Sequence, residues 1–108
     1  MTWIVEYLDT KVEKELLALP RDLQARLIHI TRLLQEFGPQ QVGMPHVRSL
    51  GQGLWEIRMN GRSGNSRAIY MIQRGQRIVI LHAFVKKTRK TPRRAIKLAL
   101  QRMKDIES

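Results

Sequence analysis

The run IVILHAFV at residues 78–85 restricts the fold of this chain more than any other segment. Seven of its eight side chains are apolar, so an extended segment here would have no polar face. Strands that are apolar on both faces lie in the interior of a sheet. The sequence therefore predicts a central strand over residues 77–85.

Two more predicted strands precede this central strand. Successive side chains of an extended segment point to opposite sides, so Glu56 and Arg58 lie on the same side of a strand over residues 54–59. Residues 66–73 form the next predicted strand, because residues typical of turns flank it at 60–65 and 74–76. We expect these strands to form a small, mainly antiparallel, twisted sheet.

The first part of the chain predicts one short strand and two helices. Residues 3–7 are aromatic and β-branched, which favours a strand. Asp9 or Thr10 then caps a helix that runs to about Leu19, and a second helix ends at Gly38-Pro39. The second helix has apolar residues spaced by three or four, at Leu23, Leu27, Ile30, Leu34 and Phe37. These two helices predict an antiparallel hairpin.

The remaining segments complete the predicted order. Residues 40–53 hold three of the seven glycines and a proline, which predicts a loop. Thr91-Pro92 fits a helix N-cap followed by proline at the first helical position. The order is therefore βααβββα, and a length of 108 residues suits one domain over residues 1–108. The predicted fold class is α+β, with an N-terminal helical hairpin, a C-terminal helix and the helices packed on one face of the sheet.

Positive charge is concentrated in the second part of the chain. Residues 1–40 carry a net charge of −1 and residues 41–108 a net charge of +12, and Glu56 is the only acidic residue between Gln41 and Lys104. Such asymmetry is typical of proteins that bind nucleic acid or another polyanion. A general solubility charge and an acidic protein partner are the alternatives.

Several functional classes are excluded by what the sequence lacks. Without cysteine there is no disulfide or thiolate metal site, and His29, His46 and His82 are too scattered to indicate one. No HExxH, P-loop or dinucleotide-binding motif is present, so we expect neither a metal nor a cofactor. No apolar stretch approaches the roughly 18–20 residues that span a bilayer. A cytoplasmic protein without a membrane partner is expected.

The basic residues of the second half suit the cleavage of an RNA phosphodiester. Cleavage requires deprotonation of a 2′-hydroxyl, stabilisation of a dianionic phosphorane-like state and protonation of the leaving 5′-oxygen. Guanidinium groups match phosphate oxygens, and a lysine crowded by other cations can transfer protons at a lowered pKa. Candidates lie on or just beyond three successive strands and can meet on one face if the strand register allows it: Arg58, Arg67, Lys86 and Lys87.

These residues also have simpler interpretations. Arg58 and Arg67 can be ordinary exposed strand residues, and the basic residues after position 85 can bind phosphates without catalysis. His82 lies inside the apolar run and fits a satisfied histidine near the core better than it fits a general base.

The segments LGQGLWEIRMNGRSGNSRAIYMI and RIVILHAFVKKTRKTPRRAIKLALQRM, within residues 50–104, resemble the RelE/ParE toxin superfamily. More specifically, they resemble the phage-derived, HigB-like branch of type II toxin–antitoxin toxins. The resemblance implies a RelE-like fold and a ribosome-dependent endoribonuclease that cuts mRNA without a metal. It also implies neutralisation by a cognate antitoxin, in this branch often a small helix-turn-helix protein.

The resemblance implies roles for individual residues. Basic catalytic residues correspond to Arg58, Arg67, Lys86 and Lys87, with Arg67 contacting the scissile phosphate. RelE has a C-terminal tyrosine and some HigB-type toxins a C-terminal histidine, whereas this chain has no aromatic residue after Phe84 and no histidine after His82. The candidates for proton transfer are therefore Lys86, Lys87 and Lys90, with His82 as an alternative general base.

Five further basic residues are predicted to bind RNA: Arg62, Arg89, Arg93, Arg94 and Lys97. Two other functions fit the same scaffold, namely a ParE-like inhibitor of DNA gyrase and a non-catalytic nucleic-acid-binding module. Arg67 and the Lys86-Lys87 pair favour the ribonuclease, because a gyrase inhibitor has no need of an arginine directed at an RNA phosphate.

Overall fold

Five strands and three helices form within residues 2–107, the part of the chain that the computed structural model describes. The strands are β1 (Ile4–Tyr7), β2 (Val47–Gly51), β3 (Leu54–Gly61), β4 (Gly64–Gln73) and β5 (Arg77–Lys86). The helices are α1 (Thr10–Leu17), α2 (Arg21–Val42) and α3 (Arg93–Glu107). The α+β class and the N-terminal helical hairpin are confirmed, while the order gains one strand and becomes βααββββα.

The strands form one sheet in the order β1-β5-β4-β3-β2. Only β1 is parallel to its neighbour, β5, and the other pairs are antiparallel. The predicted interior position of the IVILHAFV run is therefore confirmed, and its residues Ile78 to Leu81 are buried.

The predicted loop over residues 40–53 is wrong at two places. After a kink at Gly38, α2 continues to Val42, and β2 pairs with β3 so that Val47 lies opposite Ile57. The glycines at positions 51 and 53 belong to the tight turn between β2 and β3, where both have positive φ. They mark a hairpin turn instead of an irregular segment.

The prediction that all helices pack on one face of the sheet is also wrong. Side chains of α1 and α2 pack with Ile57, Tyr70 and Ile80 on one face, whereas α3 packs with Ile69 and Leu81 on the opposite face. Because β4 and β5 are apolar on both faces, each face requires cover. The helix α3 also begins at Arg93, one residue later than predicted.

The kink in α2 is possible because residue 38 is glycine. The four apolar residues before Phe37 in the predicted stripe are fully buried, but Phe37 itself, in the last turn before the kink, is 48 % exposed. Gly38 has a φ of +81°, and a Cβ there would lie 2.6 Å from Trp3 Nε1. Any other residue would need both the left-handed conformation and displacement of the indole.

A contact with α2 holds the tip of the β3–β4 hairpin. The amide of Ser63 donates a hydrogen bond of 2.9 Å to the Asp22 carboxylate, and this bond lowers the pKa of Asp22. A Cβ on Gly61 would lie 2.8 Å from the same carboxylate, so glycine allows the close approach. None of the helices within residues 2–107 has the combination of length and hydropathy needed to cross a membrane.

Candidate active site

The register of β3, β4 and β5 brings the predicted basic residues onto one face of the sheet. Arg58 lies directly opposite Arg67, and Arg67 directly opposite Phe84. The next row toward the hairpin tip consists of Asn60, Asn65 and Lys86. Since directly opposite residues point to the same side of a sheet, two strand arginines and one strand-end lysine share a surface.

This surface lies on the face that α3 covers, beyond the end of the helix. The apolar contacts of α3 reach Leu54, Ile69 and Met71, and Phe84 packs at the edge of the same cluster, but Arg58, Arg67 and the row of Asn60, Asn65 and Lys86 lie outside it. A depression of about 470 Å³ remains there, lined by Arg58, Asn60, Asn65, Arg67, Lys86, Lys87, Thr88 and Arg89. We call it the basic depression, because five of these residues are cationic and none is acidic.

Glu56 joins three elements behind the basic depression. Its carboxylate is only 1 % exposed and accepts hydrogen bonds from Arg48 Nε at 2.8 Å and from the Thr91 hydroxyl at 2.6 Å. Arg67 Nε lies 3.9 Å from the same carboxylate, an ion-pair distance that is too long for a hydrogen bond. The carboxylate thus connects β2, β4 and the segment before α3.

Arg67 is a buried cation with a fixed orientation. Its exposed fraction is 2 %, and one terminal nitrogen donates to the Ser66 carbonyl at 2.7 Å and to the Asn60 side chain at 3.3 Å. Burial lowers the pKa of Arg67, nearby Arg58 and Arg48 lower it further, and Glu56 partly compensates. Arginine nevertheless stays charged at neutral pH.

Two buried donors at this position lack a partner. Among the described residues, neither Arg58 Nε nor Arg67 Nε makes a hydrogen bond. An unsatisfied buried donor costs about 1–3 kcal/mol, and like charges directly opposite on neighbouring strands repel each other. A phosphate in the basic depression would place a negative charge beside both guanidinium groups.

Lys86 and Lys87 lie where β5 ends at the rim of the basic depression. The Lys86 ammonium donates a hydrogen bond to the Arg89 carbonyl, which holds it beside the sheet. Slight burial and the positive charges of Arg67, Arg58 and Arg48 lower the pKa of Lys86, while Glu56 opposes the change. A lysine with a lowered pKa transfers protons more readily at neutral pH.

His82 is bound by a network that joins α1, β5 and α3. Its Nδ1 lies 2.9 Å from a Glu15 carboxylate oxygen, which also accepts from the Ala83 amide at 3.1 Å. Arg102 of α3 binds both oxygens of Glu15 and the Leu81 carbonyl. His82 does not line the basic depression. Its contacts match the interpretation of a satisfied histidine near the core.

Sequence comparison places the chain in a family. A family model described as "Phage derived protein Gp49-like (DUF891)" matches residues 14–104. The chain belongs to this Gp49-like family. No curated protein matches its sequence.

Two solved structures resemble this Gp49-like protein. A mutant of the Escherichia coli toxin RelE in the free state is 13 % identical, with a TM-score of 0.69 over 95 % of this chain and 99 % of that chain. A chain of the archaeal RelE–RelB complex from Pyrococcus horikoshii OT3 is 27 % identical, with a TM-score of 0.58 over 81 % of this chain and 98 % of that chain. The RelE-like fold and the predicted relationship to the RelE superfamily are confirmed.

The other predicted RNA-binding residues of the Gp49-like chain are spread around the basic depression. Arg89 lines it, and Arg62 is exposed at the tip of the β3–β4 hairpin. Lys90, which was predicted as a proton-transfer residue, is exposed on the segment between β5 and α3 and does not line the depression. The remaining three are exposed in the first turns of α3: Arg93, Arg94 and Lys97.

Sequence reasoning missed Asn60, Asn65 and Thr88 in the lining of this Gp49-like site, and it missed the network formed by three further residues. Arg48 lies in the segment predicted as a loop, Thr91 was interpreted only as a helix cap, and Glu56 was noted only as an isolated acid. The single acid within a strongly basic segment was the available signal for Glu56, since a buried charge needs partners. The partners themselves depend on contacts distant in sequence.

Proposed function

We propose that this Gp49-like chain is the toxin of a type II toxin–antitoxin system and inhibits translation by cutting mRNA on the ribosome. The observation that carries the proposal is the Arg58–Arg67 pair, two directly opposite cations that line the depression together with Lys86 and Lys87. A scissile phosphate in this depression would meet fixed cations and a proton-transfer group.

The reaction follows from these positions. A 2′-oxygen loses its proton and attacks the adjacent phosphorus, and the bond from phosphorus to the 5′-oxygen breaks as that oxygen gains a proton. The products are a 2′,3′-cyclic phosphate and a free 5′-hydroxyl. Arg58 and Arg67 stabilise the extra negative charge of the phosphorane-like state. Lys86 is the favoured proton-transfer residue because its pKa is lowered and it borders the depression.

The surrounding residues divide the remaining tasks. Lys87 and Arg89 hold the substrate at the depression, and Arg62, Arg93, Arg94 and Lys97 bind RNA phosphates around it. Lys90 has a weaker claim to proton transfer than Lys86, because it does not line the depression. His82 is a weaker candidate for the general base, because Glu15 binds its Nδ1. The reaction takes place in the cytoplasm, where ribosomes translate.

A cognate antitoxin is the proposed protein partner. One similar solved structure is described as a RelE–RelB complex, and the positive surface of this chain suits an acidic segment. A helix-turn-helix antitoxin stays a prediction. If the antitoxin covers the basic depression, charge reversal at Lys86 and Lys87 is expected to weaken its binding.

Mapping of mRNA 5′ ends after induced expression of the chain tests the proposal. We expect growth arrest and cuts in phase with codons, and both should disappear in Arg67→Ala. Arg67→Lys should also lose most activity, because it keeps the charge but not the planar fork. The control is Arg26→Ala, which removes an exposed arginine of α2 on the opposite side of the sheet.

Two results would contradict the proposal. A DNA damage response with intact mRNA would indicate a ParE-like gyrase inhibitor. Binding to ribosomes without mRNA cleavage or growth arrest would indicate a non-catalytic nucleic-acid-binding module. Thermal unfolding of each purified variant separates loss of activity from loss of fold.

A further inference from the structure

A second depression adjoins the basic depression. It has a volume of about 470 Å³ and lies between the end of β5 and the first turns of α3, and we call it the β5–α3 groove. Lys87 and Thr88 line both depressions, so a bound chain can pass directly from one to the other. Pockets of this size are large enough to hold a small organic group.

The lining of the β5–α3 groove differs from that of the basic depression. Its walls include the apolar residues Phe84, Pro92 and Leu98, and the cationic side chains of Lys87 and Arg94 also line it. An apolar slot with two cations suits a flat aromatic group attached to phosphates. A nucleotide has this combination, with a base that stacks and phosphates that bind lysine and arginine.

Phe84 is held next to the proposed reaction centre. It lies directly opposite Arg67 in the register of β4 and β5. Its ring stacks on His82 with centroids 4.9 Å apart and an angle of 25° between the planes. Since Glu15 binds His82 Nδ1 at 2.9 Å, the two stacked rings are fixed before any substrate arrives. In this arrangement His82 supports the ring of Phe84, so its position does not require a role in proton transfer.

We propose that the β5–α3 groove binds the base of a nucleotide next to the scissile phosphate, with Phe84 as the stacking platform. The inference rests on the proposed ribonuclease function and adds the subsite at which the enzyme senses the substrate base. Thr88, Lys87 and Arg94 are polar residues of the groove lining that would contact the base edge and the flanking phosphate. A peptide segment of an antitoxin is the competing occupant, but its binding would not require the groove to adjoin the phosphate site.

Ribosomes programmed with synthetic mRNA provide the test. Each nucleotide of the exposed codon is replaced in turn by an abasic ribonucleotide that keeps its 2′-hydroxyl, and kcat/KM of cleavage is measured. Loss of a stacked base corresponds to a decrease of roughly 5- to 150-fold. We expect this decrease at one position in the wild type. Phe84→Leu should cleave intact mRNA at the reduced rate and show no further decrease at that position.

The chain offers a matched control, because its only other phenylalanine is Phe37. Phe37 lies near Trp3 at the kink of α2, outside the groove. Phe37→Leu should respond to the abasic substitutions as the wild type does. Leu98→Ala removes part of the groove wall at a partly exposed position and should weaken the response to the abasic position.

Three results would overturn the inference while leaving the ribonuclease function in place. The wild type would cleave every abasic mRNA as fast as the intact one. Alternatively, Phe84→Leu would slow intact and abasic mRNA by the same factor, which would mean that Phe84 only supports Arg67. Thirdly, Phe84→Leu would cleave normally but escape the antitoxin, which would make the groove a protein-binding surface. Failure of the wild type to cut any mRNA would instead refute the proposed function itself, and the subsite with it.

Discussion

Arg67 is nearly inaccessible, and its burial determines how it can act. A guanidinium held by Ser66 and Asn60 and only 2 % exposed cannot follow a moving substrate. It can only offer charge and donors at a fixed place, which is the arrangement that stabilises a transition state most effectively. A buried cation opposite Arg58 also destabilises the fold, and the nearby Glu56 carboxylate offsets part of this destabilisation.

Lys86→Arg separates charge from proton transfer at the candidate site. Arginine keeps the positive charge but does not release a proton near neutral pH. We expect kcat for mRNA cleavage on ribosomes to fall by about 100-fold or more, as for the loss of a general acid or base, with little change in KM. Single-turnover kinetics provide the measurement.

Lys87→Arg is the matched control, and it should retain most activity. If Lys87→Arg fails while Lys86→Arg is active, Lys87 is the proton-transfer residue. If both variants are fully active, neither lysine transfers a proton and both act as charges.

Glu56→Gln should destabilise the fold, because Glu56 balances the positive charge of Arg67. Glutamine can still accept a hydrogen bond from Thr91, but it leaves Arg67 without its nearby anion. Removal of one partner of a buried ion pair costs about 3 kcal/mol of unfolding free energy. Urea denaturation monitored by circular dichroism measures the change.

The same substitution at an exposed ion pair is the control for Glu56→Gln. Glu6 pairs with Arg77 at 2.6 Å, and the two side chains are 36 % and 48 % exposed, against 1 % for Glu56. Glu6→Gln should cost less than about 1 kcal/mol. Equal losses in the two variants would mean that Glu56 does not hold the buried cation.

At the scale of elements, Glu15 covers a strand edge that β1 leaves open. The short β1 pairs only with residues 77–80 of β5. Beyond residue 80, side chains form the hydrogen bonds along this edge of β5. The Ala83 amide donates to the Glu15 carboxylate, and the Leu81 carbonyl accepts from Arg102. One carboxylate of α1 thus links the two helical layers around the edge of the sheet.

This link predicts a pH dependence of stability. Burial alone would raise the pKa of Glu15, but hydrogen bonds from Arg102, His82 and the Ala83 amide hold it below its ordinary value of 4.5. A carboxyl with a lowered pKa contributes its full stability above the unfolded-state value and loses it as the pH falls through the folded-state value. Glu15→Gln should therefore lower the unfolding free energy by about 1–3 kcal/mol at pH 7.

Urea denaturation of both proteins at pH 7 and in steps below pH 4.5 measures this dependence. The difference between wild type and Glu15→Gln should shrink as the pH falls. A difference that stays constant down to pH 3 would show that the charge of Glu15 is not what stabilises the link.

The sequence predicts individual elements better than it predicts their assembly. Alternation correctly placed Arg58 beside Glu56 on one side of β3, and the apolar run correctly gave the interior strand. The strand β2 was missed because five residues with two polar side chains show little periodicity. The partners of Glu56 were missed because Thr91 lies 35 residues away, and no local pattern encodes that contact.

At the scale of the whole molecule, the net charge of +11 is arranged in relation to the sheet. The face covered by α3 holds the basic depression and the exposed cations of α3, whereas α1 and α2, with mixed charges, cover the opposite face. The association constant for ribosomes should therefore fall steeply with salt, by a logarithmic slope of about 0.7–0.9 for each phosphate contacted.

Paired variants locate the phosphate contacts that determine this slope. Arg93→Gln combined with Lys97→Gln should reduce its magnitude by about 1.5, because two contacts are lost. Arg26→Gln combined with Arg32→Gln removes the same charge from the exposed surface of α2 and should leave the slope unchanged. Equal effects of the two pairs would mean that binding responds to net charge alone.

The hydrogen bond between Thr91 and Glu56 has a consequence for the time at which the site forms. Glu56 and Arg67 are synthesised before Lys86, Lys87 and Thr91, and the covering helix α3 follows these residues. A nascent chain that lacks these later residues therefore has no complete site. For a protein with the proposed function, the ribosome that makes it is not exposed to a complete site until α3 has been synthesised.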